Sequence, residues 1–360
     1  MASSRPIADG ILKRTFIEEK LRAQILAGRL APGGRLPTRT ELEKHFRVSS
    51  VTVQLALDRL VEDGFVKAEG RKGTFVSAHP PHLCRYALCF PNYPSTDGGW
   101  PRFWTALTNE ALRLQTSQPR RITLFHGLDG HVDSEDYQRL LADVRAHRLA
   151  GVIFAAHPFM LMDLPLMREP GLPRVAIMNE LLYPNLAAVD LDRESFIRKA
   201  LDALRERGRK RIAFVTVPFL DATYHAMIEK ELAARRMVTR PYWTLLAPPA
   251  APVCAKNAVH LLMHGPAGER PDGLVVTDDN LVEHATAGLV AAGARVPEDA
   301  DVIGHCNFPW PTPNVLPVKR LGYDARQVLY CCLESIDRQR QGRKPDLKVV
   351  PAIFEEEAAP

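Results

Sequence analysis

The chain is poor in the features that mark many protein classes. It has no apolar run long enough to span a bilayer. Its opening, MASSRPIADGILKRTF, lacks the apolar stretch of a secretory leader. Six cysteines in 360 residues show neither CxxC nor zinc-type spacing. They predict no disulfide framework and no structural zinc, and are read as reduced thiols of a cytoplasmic protein. His79 and His82 flank two prolines, but no third metal ligand follows at useful spacing, so the stretch reads as a spacer and no metal is expected. A Gly-rich phosphate loop, GxSxG and HExxH are all missing. Asp278-Asp279 and His305-Cys306 are sequential neighbours, and neighbours on a strand point to opposite faces. That argues against either pair as catalytic machinery, and neither an enzyme nor a cofactor is expected.

Net charge is also missing from most of the chain. From residue 78 onward Lys and Arg number 33 and Asp and Glu number 33, whereas the first 77 residues carry 14 against 9. The whole formal excess of +5 therefore lies in the small N-terminal part. This is the footprint of a phosphate-binding module joined to a neutral sensor or enzyme.

What that basic part contains is LPTRTELEKHFRVSSVTVQLALDRLVEDGFVKAEGRKGTFV, residues 36–76. Thr38 opens a short helix as a cap, with Leu42 and Phe46 four apart on its inner face. Ser49 caps a second helix that buries Val53, Leu57 and Leu60, and Gly64 stops it. The other face of that helix shows Ser50, Thr52 and Gln54, and is expected to carry no bulky apolar residue. Residues 65–66 and 74–76 read as strands about a turn, Gly70-Arg71-Lys72-Gly73, tipped by two cations. Two helices at a short turn followed by a basic hairpin predict a winged helix–turn–helix. Its second helix enters the major groove while the wing reaches phosphate or minor groove. Residues 1–14 lack periodicity and are expected as an arm, with a first helix over 15–27 carrying Leu21 and Ile25 inward.

Residues 17–76 resemble the GntR-type DNA-binding domain. The resemblance rests on Ile25, Gly28, Pro32-Gly33 and Leu36-Pro37, on Val48-Ser49, Thr52-Val53, Ala56-Leu57, Leu60 and Gly64, and on Gly73-Thr74-Phe75-Val76. It implies DNA contacts from Arg35, Thr38, Arg39 and Thr40, from Ser49, Ser50, Thr52 and Gln54, and from Arg71, Lys72 and Gly73. The family's usual arginine stands at the position of Thr40; here Arg39 is one place earlier. It often has arginines where this chain has Ser50 and Gln54.

After a linker over 78–84, the body, 85–360, alternates strands with helices. Strands are expected at 86–90, 122–125, 151–155 and 175–178, then at 212–217, 243–246, 273–277 and 302–304. Helices are expected at 102–114, 134–147, 195–207, 223–235, 255–264 and 281–292. Such alternation implies α/β lobes with parallel sheets. Two runs of it imply two lobes with a ligand cleft at the carboxyl ends of the strands. The segment resembles the effector-binding domain of LacI/GalR repressors, itself similar to periplasmic sugar-binding proteins. The residues that carry this include Leu149-Ala150-Gly151-Val152-Ile153, Val189-Asp190-Leu191-Asp192, Arg207-Gly208-Arg209-Lys210-Arg211-Ile212, Pro271-Asp272-Gly273, and Val296-Pro297-Glu298-Asp299. A GntR-type head on a LacI-type body resembles arabinose-repressor-like transcription regulators. That implies operator DNA, a small, sugar-like effector, and a homodimer.

Candidate effector contacts follow. Trp100, Phe103 and Trp104 lie where the family places a stacking aromatic, though a helix start of that composition can equally be core. Asn179 follows a strand. Asp278 or Asp279, at a strand's carboxyl end, can bond hydroxyls or cap the next helix. Sugar-binding relatives usually have an arginine where this chain has Tyr224-His225, and an aspartate where it has His305-Cys306-Asn307. Asn307 can hydrogen-bond there without charge, so the pocket is expected to depart from the family's pattern.

Overall fold

The computed structural model describes residues 5–95, 100–117, 119–218, 222–312 and 314–358. The head begins with α1 (Arg5–Leu26). Residues 5–14, expected as an arm, are therefore helical; no glycine or proline interrupts 11–26, and Ile17, Leu21 and Ile25 recur every fourth position on its buried stripe. Residues 1–4 of the expected arm lie outside the described residues. Thr38 caps α2 (Arg39–Phe46) in a full capping box with Glu41. Arg47, at φ 52°, ends that helix in the left-handed region, and Ser49 caps α3 (Ser50–Glu62). Gly64, at φ 80°, turns the chain into β1 (Val66–Ala68), which pairs antiparallel with β2 (Thr74–Val76). Leu42, Val53, Leu57, Leu60, Phe65 and Val76 close the core against α1.

The prolines of 78–84 do not make an extended tether. Pro80 is the cap and Pro81 the first residue of a one-turn helix, α4 (Pro81–Cys84), where proline's fixed φ and missing N–H cost nothing. His82 of this turn stacks on Phe65 of the head, centroids 5.7 Å apart. Arg340 of the body donates to the Leu83 carbonyl at 3.5 Å, and Arg148 of the body reaches Asp63 of the head.

In the first lobe the chain runs β3 (Arg85–Cys89), α5 (Arg102–Ser117), β4 (Arg121–Phe125), α6 (Glu135–Arg145), β5 (Gly151–Phe154), α7 (Pro165–Arg168), β6 (Arg174–Ile177) and β7 (Ala187–Asp192). It then crosses through α8 (Arg193–Glu206) to β8 (Ile212–Thr216), α9 (Ala222–Ala234), β9 (Thr244–Leu246), α10 (Val253–Leu262), β10 (Gly273–Val276), α11 (Asp279–Ala291), β11 (Asp301–Phe308) and β12 (Lys319–Asp324). α12 (Ala325–Arg340) leads back to β13 (Leu347–Pro351) in the first sheet, and β14 (Ile353–Phe354) returns to the second. The first sheet, in order β13-β7-β6-β5-β3-β4, is wholly parallel. The second, β14-β12-β11-β10-β8-β9, is parallel except for β14. These are the two α/β lobes expected, and three crossings of the chain link them. Each sheet is buried on both faces, so its strands read as short apolar runs: Leu88, Val152, Ile153, Val175, Val275 and Ile303 are nearly inaccessible. Among the described residues no helix is long and apolar enough to cross a membrane, and all six cysteines are free.

Candidate functional site

The expected DNA contacts fall on three neighbouring elements of the head. Arg39 opens α2 and donates from Nη1 to Gln54 Oε1 of α3 at 3.1 Å, while Gln54 Nε2 donates to Asp58 Oδ1 at 2.7 Å. Thr38 and Ser49 spend their hydroxyls on caps: Thr38 Oγ1 accepts from Glu41 N and donates to Glu41 Oε2, and Ser49 Oγ accepts from Thr52 N. Thr40 and Ser50 are exposed beside them, and Thr52 is half-buried against Ser49. Arg71 and Lys72 are exposed on a 3-10 turn, Gly70–Lys72, between the wing strands. Gly73, at φ 114°, brings that turn against Arg35; a Cβ there would lie 3.0 Å from Arg35 Nε. One expectation fails here. The exposed face of α3 is not free of apolar bulk, because Val51 is 68% and Leu55 49% exposed. The inner stripe is filled by Val53, Ala56, Leu57 and Leu60, which leaves these two outward, where they can meet thymine methyl groups.

In the body a cavity of about 500 Å³ lies at the carboxyl ends of the strands of both sheets. Phe103, Trp104, Asn179, Tyr224, Asp278, Asp279 and Asn307 all line it. Trp100 does not: it packs on Phe90 at 4.8 Å and edge-on to Trp104 at 5.2 Å, with Nε1 spent on Thr105 Oγ1. Trp104 is itself nearly buried and donates to the Ala155 carbonyl at 3.3 Å, so its ring is at once core and wall.

The acidic end is built by α11. Asp278 Oδ1 caps this helix, accepting Asn280 N at 2.9 Å and Asn280 Nδ2 at 2.7 Å. Asp279 is 3% exposed and accepts Asn307 Nδ2 at 2.5 Å. Burial, helped by the neighbouring Asp278, pushes the Asp279 carboxyl up to about 7. Asn307 Oδ1 is buried and finds no partner among the described residues. His305 also lines the cavity, and burial holds it down to about 4, so it is neutral at ordinary pH. Cys306 points the other way and its thiol is pushed up to about 12, which separates the pair as strand geometry requires.

Cavity residues not expected as ligand contacts include Asp190, Arg193, Phe196 and Tyr323. Asp190 lies near the carboxyl end of β7, and desolvation raises it to about 6. Arg193 opens α8 and lies over the Tyr224 ring at 5.2 Å. The signal that finds them is positional: each lies within a turn of a strand's carboxyl end.

Residues 13–76 match the family of bacterial regulatory proteins called the gntR family, and residues 201–351 match the periplasmic binding protein-like domain. The chain therefore joins a GntR-type winged helix–turn–helix head to a periplasmic-binding-protein-like body.

The curated relatives match through the head. The HTH-type transcriptional regulator TauR of Rhodobacter capsulatus is 47% identical over 57 residues, 16% of this chain and 12% of that protein. The arabinose metabolism transcriptional repressor of Halalkalibacterium halodurans is 36% identical over 63 residues, 18% of this chain and 17% of that one. The chain thus spans less than a fifth of the length of either relative. Solved structures match through the body. A LacI transcriptional regulator from a Rhodococcus species aligns with TM-score 0.59 and 17% identity, covering 75% of this chain and 96% of that one. A LacI family regulator from Lactobacillus casei with bound glucose aligns with TM-score 0.53 and 15% identity, covering 75% and 98%. At such identities the likeness establishes the two-lobed fold.

Proposed function

We propose that this chain is a ligand-controlled transcription regulator, a repressor whose affinity for operator DNA falls when a small polar metabolite enters the interlobe cavity. One observation carries the reading: a single chain joins a DNA-reading head with all the formal charge excess to a neutral body holding a cavity of about 500 Å³ lined by aromatic and polar side chains. The role is regulatory and not catalytic. Dimerisation through the body sets two heads on a palindromic site, and Arg39, Thr40, Ser50, Thr52 and Gln54 read or approach the major groove. Arg35, Arg71, Lys72 and Gly73 bring the wing to the backbone, with Thr38 and Ser49 holding the reading elements in shape. In the cavity Phe103, Trp104, Asn179, Tyr224, Asp278, Asp279 and Asn307 hold the effector. Selection of bound sequences from a random duplex pool, using the full chain, tests the head. Recovery of a two-fold symmetric consensus is expected, and no enrichment over unselected DNA refutes the reading. Retention of operator affinity across a broad metabolite panel refutes the ligand control.

A further inference from the structure

The composition of the cavity narrows the chemistry of its occupant. We infer that the effector carries a protonated amine, and is a cationic or zwitterionic metabolite and not a neutral sugar. The inference rests on taking the interlobe cavity as the effector site.

Three carboxyls line the cavity, Asp190, Asp278 and Asp279, and so does one guanidinium, Arg193, which acts on Asp190. The remaining polar groups are uncharged: Asn179, Thr216, Thr277, Asn280, Asn307 and the neutral His305. At the α11 end the two carboxyls and Asn307 Oδ1 present acceptors, beside the Thr216 hydroxyl and the His305 ring. One N–H of the Asn307 amide goes to Asp279 and one of the Asn280 amide to Asp278, while the Thr277 hydroxyl donates to Thr216. Asn307 Oδ1, on a residue only 2% exposed, has no donor among the described residues. A buried acceptor without a donor is costly unless a ligand supplies one. Hydroxyls could donate, but they would leave an excess of carboxylate uncompensated in a desolvated site. An ammonium supplies up to three N–H donors and the missing charge together. The rings of Phe103, Trp104, Phe196, Tyr224 and Tyr323 form much of the remaining wall, and their faces favour a cation. Arg193 leaves room for an oxyanion or hydroxyl on the same ligand.

Protonation sharpens the distinction. Asp279 is raised by burial and by Asp278, against Asn307 and Arg102; Asp190 is raised by burial and by Asp192, against Arg193, with Tyr224 and Tyr323 packed nearby. A bound ammonium favours the ionised form of both, so its affinity rises between roughly pH 6 and pH 8, while that of a neutral ligand does not.

Matched probes test this on the full chain by calorimetry: glucose, glucosamine and N-acetylglucosamine, then glycerol, ethanolamine and N-acetylethanolamine, with putrescine and glycine. Amine members are expected to bind at least about tenfold more tightly than their neutral partners, increasingly so at higher pH for ethanolamine and putrescine, whose amines keep their protons through about pH 8. Asp278→Asn keeps the helix cap, since Asn and Asp cap equally well. It should weaken amine binding by about tenfold or more without lowering the unliganded Tm; Asp190→Asn, away from the helix, serves as a second variant. A neutral probe binding as tightly as its amine, or no amine binding at millimolar concentration, overturns the inference. So does an amine affinity indifferent to pH and to both variants. Amine binding that leaves DNA affinity untouched would keep this inference and refute the regulatory reading, whereas a neutral sugar that releases DNA would do the reverse.

Discussion

Arg148 of the body donates from Nη1 to Asp63 Oδ1 of the head at 2.8 Å, and the Asp63 side chain is only 2% exposed. The same carboxylate accepts Arg22 Nη2 of α1 at 2.7 Å, and Arg148 also pairs with Asp143 of α6 at 2.7 Å. A chain of four charges thus runs from the helix behind the DNA-reading face into the first lobe. Buried charges are held in place by their partners, because each unpaired member bears its desolvation cost alone. The head is seated on the body by fixed geometry, and α4 with His82 against Phe65 closes the joint beside it.

Removing Arg148 leaves Asp63 with Arg22 at 2.7 Å and Arg59 at 3.8 Å. Arg148→Ala should weaken the seating of the head by about 1–3 kcal/mol. The readout is limited proteolysis between residues 77 and 85, which should accelerate while the affinity of the head for non-specific duplex stays as it was. Unchanged cleavage would show that the ionic chain does not hold the joint.

Gln54 and Arg71 should separate reading from positioning. In the free protein Gln54 is held between Arg39 and Asp58, so engaging a base exchanges those hydrogen bonds for others. Losing a bidentate contact costs about 1–3 kcal/mol on the matched site. Gln54→Ala should show that loss on the selected sequence and little on a scrambled one, whereas Arg71→Ala should weaken both alike. Equal losses for Gln54→Ala on the two duplexes would remove its reading role.

Much of this was legible beforehand, and the parts that were not share a cause. The head was readable because its signals are local: Thr38 and Ser49 as caps, Gly64 as a stop, an inner stripe at helical spacing. The first strands of each lobe were readable as short apolar runs. β7, β12 and β13 were not, since Ala187–Asp192 is rich in alanine and aspartate and Lys319–Asp324 mixes charge with glycine. Their neighbours in the sheets make them strands, overriding weak propensity. β11 was expected to stop at Gly304 and runs to Phe308, through His305 and Asn307. The polar residues that hide the strand are the ones that line the cavity, which is where local rules are expected to fail. Asp190 and Arg193 escaped for the same reason, since their meaning depends on strands brought together from distant parts of the chain.

Salt should act on the head through counterion release. The logarithm of DNA affinity is expected to fall linearly with the logarithm of salt, by ~0.9 per phosphate neutralised. Arg71→Ala and Lys72→Ala should each reduce that slope by about one. A slope indifferent to both variants would mean that the wing does not touch the backbone.

The unliganded body should lose stability as pH rises through the acid range. Asp279 holds its proton to about 7 when folded, whereas an unfolded aspartate releases it near 3.8. Between those values the folded state binds the extra proton, so stability falls with rising pH and levels off above about 7. The slope from this buried group is up to about 1.4 kcal/mol per pH unit. Asp190, raised to about 6, acts in the same direction but is half in solvent, so its part is smaller. Asp279→Asn should flatten the profile between roughly pH 4 and pH 7, read by Tm as a function of pH. A profile unchanged by that substitution would mean the carboxyl is ionised throughout.

Coupling between cavity and head must be reciprocal. The effector can shift the DNA-binding equilibrium only by its differential affinity for the two arrangements of the lobes. Both lobes contribute to the cavity, Asn179 and Asp190 from one sheet and Asp278 and Asn307 from the other, so occupancy bears on their relative position. The head is seated on the first lobe through Arg148, which gives that movement a path to the head. Allosteric couplings usually amount to about 1–3 kcal/mol, or roughly 5–150-fold. Whatever factor the effector imposes on operator affinity, operator must impose on effector affinity. Titrating the effector with and without saturating operator measures it directly. Trp104→Ala and Asp279→Ala should weaken effector binding while sparing operator affinity in its absence, and Arg148→Ala should leave effector affinity intact while shrinking the coupling factor. Identical effector affinities in the two titrations would mean that binding and DNA recognition are independent, and would refute the switch while leaving the fold and the cavity as they are.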